Sequence, residues 1–195
     1  MTIVVYEPGA NWKDGKGPNE QDLGPHFGYV ADKFKDGTLV ANGLQTDAIR
    51  GYYVVGSGDA AVVKAYVDND PAITGGVLKV AEQIGWGVLI KGFAPAAKGE
   101  NYFILRYRPG KSWAAGKGLM DQAIGPHFGY ITEAARMAKV VAAGPNLSAD
   151  GGIYIAKLSD KAAADAFVAA DPGVASGLFA PTIIGWNVLT MQGMK

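Results

Sequence analysis

Short apolar runs of the strand type alternate along the chain with segments whose apolar residues recur at helical spacing. Residues 3–6 are β-branched or aromatic, which is typical of a strand. Further along, Phe27, Val30, Ala31 and Phe34 follow one another at the three- and four-residue intervals of an amphipathic helix. Two more strand-like runs, a second helical segment and a last strand complete the series. The pattern predicts the order βαββαβ for the first half of the chain.

The same pattern returns 101 positions later. The hexapeptide Gly-Pro-His-Phe-Gly-Tyr occupies residues 24–29 and again residues 125–130. Tyr53 is matched by Tyr154, and an Asp-Pro pair occurs at corresponding places in both halves. A match of this length indicates duplication of a whole module, not a short solenoid repeat.

The predicted elements occupy corresponding positions in the two repeats. The first repeat is residues 1–93, the second is residues 101–195, and a small linker bounded by proline and glycine lies between them at residues 94–100. The predicted strands are residues 3–6, 38–41, 51–55 and 85–90, then 102–107, 139–142, 152–156 and 185–191. The second helix of each repeat is predicted at about residues 59–67 and 160–169, ending at the Asp-Pro pair because the residue before proline disfavours helical geometry.

The order βαββαβ is that of a ferredoxin-like unit, an α+β arrangement with both helices on one face of a four-stranded sheet. The other face of such a sheet is bare and must be covered. We therefore expect the two units to pack sheet to sheet as an intramolecular dimeric α+β barrel. The chain would then be a monomeric pseudodimer or part of a higher homo-oligomer.

Composition narrows the function classes. The chain has 195 residues, 49% of them hydrophobic and 18% charged, with a formal net charge of zero and no cysteine. This balance is that of an ordinary globular protein and gives no general attraction to nucleic acid. Disulfides and thiolate chemistry are excluded, no apolar run is long enough to span a membrane, and no signal peptide is evident. A cytoplasmic protein with a small-molecule ligand is expected.

The only two histidines of the sequence, His26 and His127, are the third residues of the repeated hexapeptide. In a βαββαβ unit the first helix begins and the second helix ends at the same edge of the sheet. His26 should therefore lie near Asp70, and His127 near Asp171, although 44 residues separate each pair.

Each such pair is suited to general base catalysis. The positive end of the helix dipole favours neutral imidazole, and a carboxylate would fix its tautomer and stabilise the imidazolium that forms. Two alternatives stay open: Asp-Pro is also a common start of a helix, and a histidine near a helix start is often a surface or packing residue.

Other polar and aromatic residues flank the predicted pairs. Tyr29 and Tyr130 follow the histidines by three residues and are candidate hydrogen-bond donors to a substrate oxygen. Trp12 and Trp113 lie in glycine-rich loops, where they would cover a flat organic ligand or simply pack on the core.

The same glycine-rich loops contain Lys16 and Lys117, which would hold an anionic ligand or belong to plain surface loops. The loops differ from a nucleotide-binding P-loop in glycine spacing and in the residue after lysine. One histidine and one aspartate per repeat are too few for a typical zinc site, so no metal and no cofactor is expected.

Each repeat resembles the YCII-like (YCII-related) domain. The resemblance depends on the helix histidine, the strand-end residues 40–43 or 141–145, the Asp-Pro pair after the second helix and a tryptophan in the last strand, Trp86 or Trp186. It implies a dimeric α+β barrel with the His–Asp pair as active site. A relative in chloroaromatic degradation resembles a dehydrochlorinase using that pair, and muconolactone isomerase shares the barrel.

The two repeats depart from the family pattern at two places. Ala72 and Gly173 replace an aromatic residue often found after Asp-Pro, and Gly-Pro replaces a basic residue often found before the histidine. The first difference changes a pocket wall and the second removes an anion contact, so the substrate does not follow from the resemblance.

The leading expectation is a cofactor-independent enzyme that uses the His–Asp pair for proton transfer on a small carbonyl or phenolic substrate, of the lyase, isomerase or dehydrochlorinase type. The alternative is a small-molecule binding or sensing module without turnover. Haem binding on the helix histidine is a third hypothesis, since some α+β barrels carry haem.

Overall fold

The computed structural model describes residues 1–97 and 99–193, so Lys98 of the expected linker lies outside the described residues. The first half contains β1 (Thr2–Pro8), α1 (Gly24–Lys35), β2 (Leu39–Gln45), β3 (Gly51–Val55), α2 (Ala60–Asp68), α3 (Pro71–Thr74), β4 (Leu78–Gly85) and β5 (Ile90–Lys91). The second half contains β6 (Tyr102–Pro109), α4 (Gly125–Arg136), β7 (Val140–Pro145), β8 (Gly152–Lys157), α5 (Lys161–Ala169), α6 (Pro172–Ala175) and β9 (Phe179–Met191). Single 3₁₀ turns, Pro18–Glu20 and Leu119–Asp121, precede α1 and α4.

All strands belong to one curled, antiparallel, nine-stranded sheet in the order β4-β1-β3-β2-β9-β6-β8-β7-β5. The strands of the two halves follow the same relative order, β4-β1-β3-β2 and β9-β6-β8-β7. The outermost strands, β4 and β5, are consecutive in the chain, and the segment between them contacts β7: the N–H of Gly87 donates to the carbonyl oxygen of Pro145, and the N–H of Leu89 donates to that of Ala143. This segment joins the two ends of the curled sheet. The protein is therefore a mixed α+β fold.

The last strand of each half differs from its prediction, and this joins the halves. In the first half the strand predicted at residues 85–90 is wrong: β4 ends at Gly85, residues 87–89 form no strand, and β5 has only two residues. In the second half the strand predicted at residues 185–191 begins earlier, at Phe179. β9 has 13 residues; its first part pairs with β6 and its second part pairs with β2 of the other half. β5 pairs in the same way with β7. The predicted separate sheets are therefore one sheet, because pairing satisfies backbone groups of β2 and β7 that would otherwise form open edges.

The concave interior of the sheet is an apolar core built from both halves. It contains Ile3 and Val54 from the first half, and Ile104 and Ile155 from the second. Trp86 is fully buried, and its indole N–H lies 3.1 Å from the carbonyl oxygen of Gly144 and 3.0 Å from that of Ile153. The inner faces of the two halves thus pack together, in addition to sharing strand edges.

The helices cover the outer face of the sheet and form a separate apolar cluster in each half. In α1 the buried residues are His26, Val30 and Phe34, which lie four apart on one face. Phe27 and Phe128, which the spacing places on the core side, are 51% and 57% exposed. The histidine occupies the inward position that the apolar pattern predicts for phenylalanine. No helix in the described ranges is long and apolar enough to cross a bilayer.

Candidate functional site

The first histidine is held in the interior by the carboxylate of Asp70, which lies between α2 and α3. His26 is the third residue of α1 and its side chain is 1% exposed. Its Nδ1 lies 2.8 Å and 2.9 Å from the two carboxylate oxygens of Asp70, which is fully buried. In the second half, Nδ1 of His127 lies 2.7 Å from Oδ2 of Asp171. The topology brings each predicted pair into hydrogen-bond contact.

Each aspartate also begins a short helix. Asp70 is the N-cap of α3, and its Oδ1 accepts a hydrogen bond of 2.9 Å from the backbone N–H of Ala72. Asp171 caps α6 in the same way, by a 2.8 Å bond from Gly173. The Asp-Pro pair is therefore a helix start, as one sequence interpretation had it, and the same carboxylate binds the histidine. The two interpretations are compatible because a carboxylate accepts several hydrogen bonds.

A tyrosine hydroxyl completes each arrangement on the other ring nitrogen. Nε2 of His26 lies 3.1 Å from the hydroxyl of Tyr53, and Nε2 of His127 lies 2.8 Å from the hydroxyl of Tyr154. Neither tyrosine was predicted from the sequence as a site residue. Their recurrence at the same offset was the available signal, but it does not show which face of β3 or β8 they occupy.

The three side chains form a directed chain of hydrogen bonds. A carboxylate can only accept, so Nδ1–H of the histidine donates to Asp70. The neutral ring then presents a lone pair at Nε2, to which the Tyr53 hydroxyl donates. If the ring gains a proton, Nε2–H donates to the tyrosine oxygen and frees its hydroxyl hydrogen for another acceptor. The arrangement can move one proton between the tyrosine oxygen and the histidine.

Burial keeps the tyrosines protonated. It raises the pKa of Tyr53 to about 12, an increase that the side chain of Asn42 opposes and the nearby charge of Asp70 reinforces. Burial likewise raises the pKa of Tyr154, with a contribution in the same direction from Asp171. Both hydroxyls are therefore hydrogen-bond donors at neutral pH.

Each histidine–tyrosine pair lines a cavity that both halves help to form. A cavity of about 560 Å³ is lined by His26 and Tyr53 together with Leu189 from the second half. A cavity of about 620 Å³ is lined by His127 and Tyr154 together with Leu89 from the first half. Both volumes suit a small organic molecule.

Comparison with known protein families identifies a domain in the second half of the chain. A YCII-related domain is found at residues 102–187. The match contains His127, Tyr154 and Asp171, so the whole second site lies within the YCII-related domain. No curated protein matches the chain.

Solved structures show the same fold across nearly the whole chain. A candidate monooxygenase of Lactobacillus acidophilus is 10% identical, with 99% of this chain and 97% of that chain covered and a TM-score of 0.54. A candidate monooxygenase of Fusobacterium nucleatum is 12% identical, with 99% and 95% covered and a TM-score of 0.51. At such low identity the likeness concerns the fold alone.

The tyrosines on the histidine helices lie away from the cavities, both in the YCII-related domain and in the first half. The Tyr29 hydroxyl donates to the backbone oxygen of Tyr66 at 2.7 Å, and the Tyr130 hydroxyl donates to that of Phe167 at 2.8 Å. These bonds tie α1 to α2 and α4 to α5. Tyr29 and Tyr130 were predicted to lie beside the histidines in the site. In the structure Tyr53 and Tyr154 occupy that position instead.

The two loop tryptophans differ from one another. Trp12 lines the cavity of His26. Trp113 packs against Phe179, with ring centroids 5.9 Å apart, and its indole N–H donates to the backbone of Lys117 at 3.2 Å. Trp113 does not line the cavity of the YCII-related domain.

The two loop lysines lie outside the cavity walls, and the described residues form no cluster of metal ligands. The Lys16 ammonium pairs with Glu20 at 3.0 Å, and neither Lys16 nor Lys117 is part of a cavity wall. Within residues 1–97 and 99–193, no three His, Asp or Glu side chains are grouped so as to hold a metal ion.

The raised pKa of Tyr53 predicts a loss of stability in alkali. The unfolded chain loses this phenolic proton near pH 10, whereas the folded chain keeps it until about pH 12. Between these values the unfolded state binds fewer protons, so the free energy of unfolding should fall with rising pH, by about 1.4 kcal/mol per pH unit for one such group.

Urea unfolding of wild type and Tyr53→Phe at several pH values checks this expectation. The variant should show a shallower fall between pH 10 and pH 12, whatever its stability at neutral pH. Equal slopes would mean that Tyr53 ionises normally in the folded protein.

Proposed function

We propose that the chain is an enzyme that moves a proton on a small carbonyl or phenolic substrate, using each histidine–aspartate pair without a cofactor. The two halves would be tandem YCII-like repeats, each a ferredoxin-like unit, that form an intramolecular dimeric α+β barrel. The repeated strand order and the duplicated site support this architecture.

One observation carries the functional proposal. In each half a buried carboxylate, an imidazole and a phenol are hydrogen-bonded in series, and the phenol and imidazole line a cavity. A buried carboxylate behind an imidazole stabilises the positive charge that appears when the imidazole takes a proton. A purely structural histidine does not need a cavity beside the hydroxyl group that its Nε2 contacts.

The proposed first step is a proton relay. A substrate C–H or O–H proton passes to the oxygen of Tyr53 while the hydroxyl proton of Tyr53 passes to Nε2 of His26. The electron pair stays on the substrate as an enolate or phenolate, and Asp70 balances the imidazolium charge. In the second half, Tyr154, His127 and Asp171 would act in the same way.

The second step decides the reaction type. Return of the proton to a different substrate atom gives an isomerisation. Departure of chloride or another leaving group with its electron pair, as a new double bond forms, gives an elimination. The proton on the imidazole is then released to water.

A binding or sensing module without turnover is the second candidate. The nearly complete burial of His26, at 1% exposure, favours it, because the tyrosine hydroxyl already occupies the basic nitrogen. Because the hydroxyl hydrogen of Tyr53 is donated to Nε2, binding would then use the tyrosine oxygen as a hydrogen-bond acceptor.

Solvent exchange distinguishes the two candidates. Small ketones and hydroxylated or halogenated aromatics are incubated with the protein in D₂O, and ¹H NMR follows deuterium uptake while an electrode follows halide release. Enzyme activity predicts at least one compound that reacts about 100-fold faster than without protein. Compounds that bind without any accelerated exchange or elimination would overturn the enzyme proposal and support the module.

A further inference from the structure

We propose that the two cavities bind ligands of different chemistry. The cavity of His127 takes an uncharged, largely apolar ring compound with one oxygen, and the cavity of His26 takes a ring compound with a second hydrogen-bonding group. This rests on the proposed function, because it assigns ligand classes to the same two histidine sites.

The first difference lies in the 3₁₀ turn before the histidine helix. In the first half this turn places Pro18 and Asn19 in the cavity wall. At the corresponding positions of the second half it places Leu119 and Met120 there. Leu119 is buried and Met120 is 81% exposed at the mouth. The second residue of this turn thus places an amide in one cavity wall and an apolar thioether side chain in the other.

The second difference lies beside the catalytic tyrosine. Asn42 is 4% exposed, and no described residue donates a hydrogen bond to its side-chain oxygen. Its counterpart is Ala143, which lines the cavity of His127. Asn42 is not part of the wall of the His26 cavity, so the difference that a ligand meets directly is the apolar contact with the Ala143 methyl group in the second cavity.

The third difference lies in the turn after the second strand. Gln45, Thr46, Asp47 and Arg50 all line the cavity of His26. The guanidinium of Arg50 is also held by Glu7 at 3.2 Å, so this wall offers hydrogen bonds without a strong excess of either charge. It selects a second polar group on the ligand, not an ionic charge.

The corresponding turn of the second half does not line the cavity of His127 beyond Pro145. Leu89 and Ile90 contribute from the other half instead, and Leu89 and Phe128 are 69% and 57% exposed at the mouth. The polar exceptions in the wall lie on α4: Thr132 bonds the backbone of Phe128, and Arg136 pairs with Glu133. Away from the histidine and tyrosine, burial of apolar ligand surface in this cavity favours binding.

Two naphthalene probes test the assignment by equilibrium binding. 2-Naphthol has one hydroxyl group, and 2,6-dihydroxynaphthalene adds a second with almost no change in size. Calorimetry and fluorescence titration should find that Met120→Asn weakens 2-naphthol binding about tenfold and leaves the diol unaffected. Asn19→Met should weaken the diol by several-fold and not 2-naphthol.

A matched control is Met137→Asn, which replaces another exposed methionine that lines neither cavity. It should change neither affinity. The inference is overturned if Met120→Asn leaves 2-naphthol binding unchanged, if both probes respond equally to both variants, or if 2-naphthol does not bind. These outcomes are independent of turnover, so they are distinguishable from failure of the exchange experiment.

Discussion

The double variant His26→Ala/His127→Ala should lower the rate of exchange or elimination by about 10²–10⁴-fold, the usual contribution of general acid–base catalysis. Both imidazoles contact a cavity-lining tyrosine through Nε2, at 3.1 Å and 2.8 Å. Without them the tyrosine proton has no acceptor, and the relay stops. The measurement is the initial rate of deuterium uptake or halide release for a compound that the wild type converts.

The asparagine variants provide the matched control for folding. The Nδ2 group of an asparagine at position 26 can donate to Asp70 as the ring Nδ1 does, but it offers no base toward Tyr53. His26→Asn/His127→Asn should therefore keep a wild-type circular dichroism spectrum and lose activity to the same extent. Each single variant should leave the other site working. Unchanged activity in the double alanine variant would refute the catalytic role.

The meeting of histidine and aspartate was predictable because it follows from topology alone. One helix begins at an edge of the sheet and the other ends at the same edge, so residues 26 and 70 must lie close together. This prediction does not require any knowledge of side-chain packing. The role of Tyr53 was not predictable, because β3 carries two adjacent tyrosines whose side chains lie on opposite faces of the sheet. Tyr52 belongs to the inner core and Tyr53 to the cluster under the helices, and the sequence alone does not show which face is which.

The long last strand was missed for a different reason. Pro181 interrupts the apolar run before residue 185, and proline normally argues against a strand. In the structure Pro181 lies opposite Tyr107 of β6, in the part of β9 that has not yet reached β2. That part has one free edge, where a missing N–H is tolerated. The pairing between halves therefore depends on a contact that the sequence of either repeat alone does not reveal.

Replacing the aspartates is the change expected to cost the most stability. In Asp70→Ala the Nδ1–H of His26 and the backbone N–H of Ala72 both lose their acceptor in a fully buried place. Breaking a buried pair typically costs about 3–5 kcal/mol. Urea or guanidinium denaturation followed by circular dichroism should show a loss of that order for Asp70→Ala and for Asp171→Ala. A loss below about 1 kcal/mol would mean that the pair contributes little to the fold.

Asparagine at the same positions keeps the helix cap but changes the contact with the histidine. Oδ1 of Asp70 accepts from the N–H of Ala72 at 2.9 Å, and Oδ1 of Asp171 accepts from that of Gly173 at 2.8 Å, so an amide oxygen can replace it in both halves. The NH₂ group of the asparagine then faces the ring, because Oδ2 lies 2.9 Å from Nδ1 of His26 and 2.7 Å from Nδ1 of His127. The ring can accept this bond in its other tautomer and donate through Nε2–H to the tyrosine oxygen. Asp70→Asn and Asp171→Asn should therefore each destabilise the protein less than the corresponding alanine variant, as urea unfolding followed by circular dichroism would show. Equal losses for asparagine and alanine would contradict this role of the carboxylate oxygens.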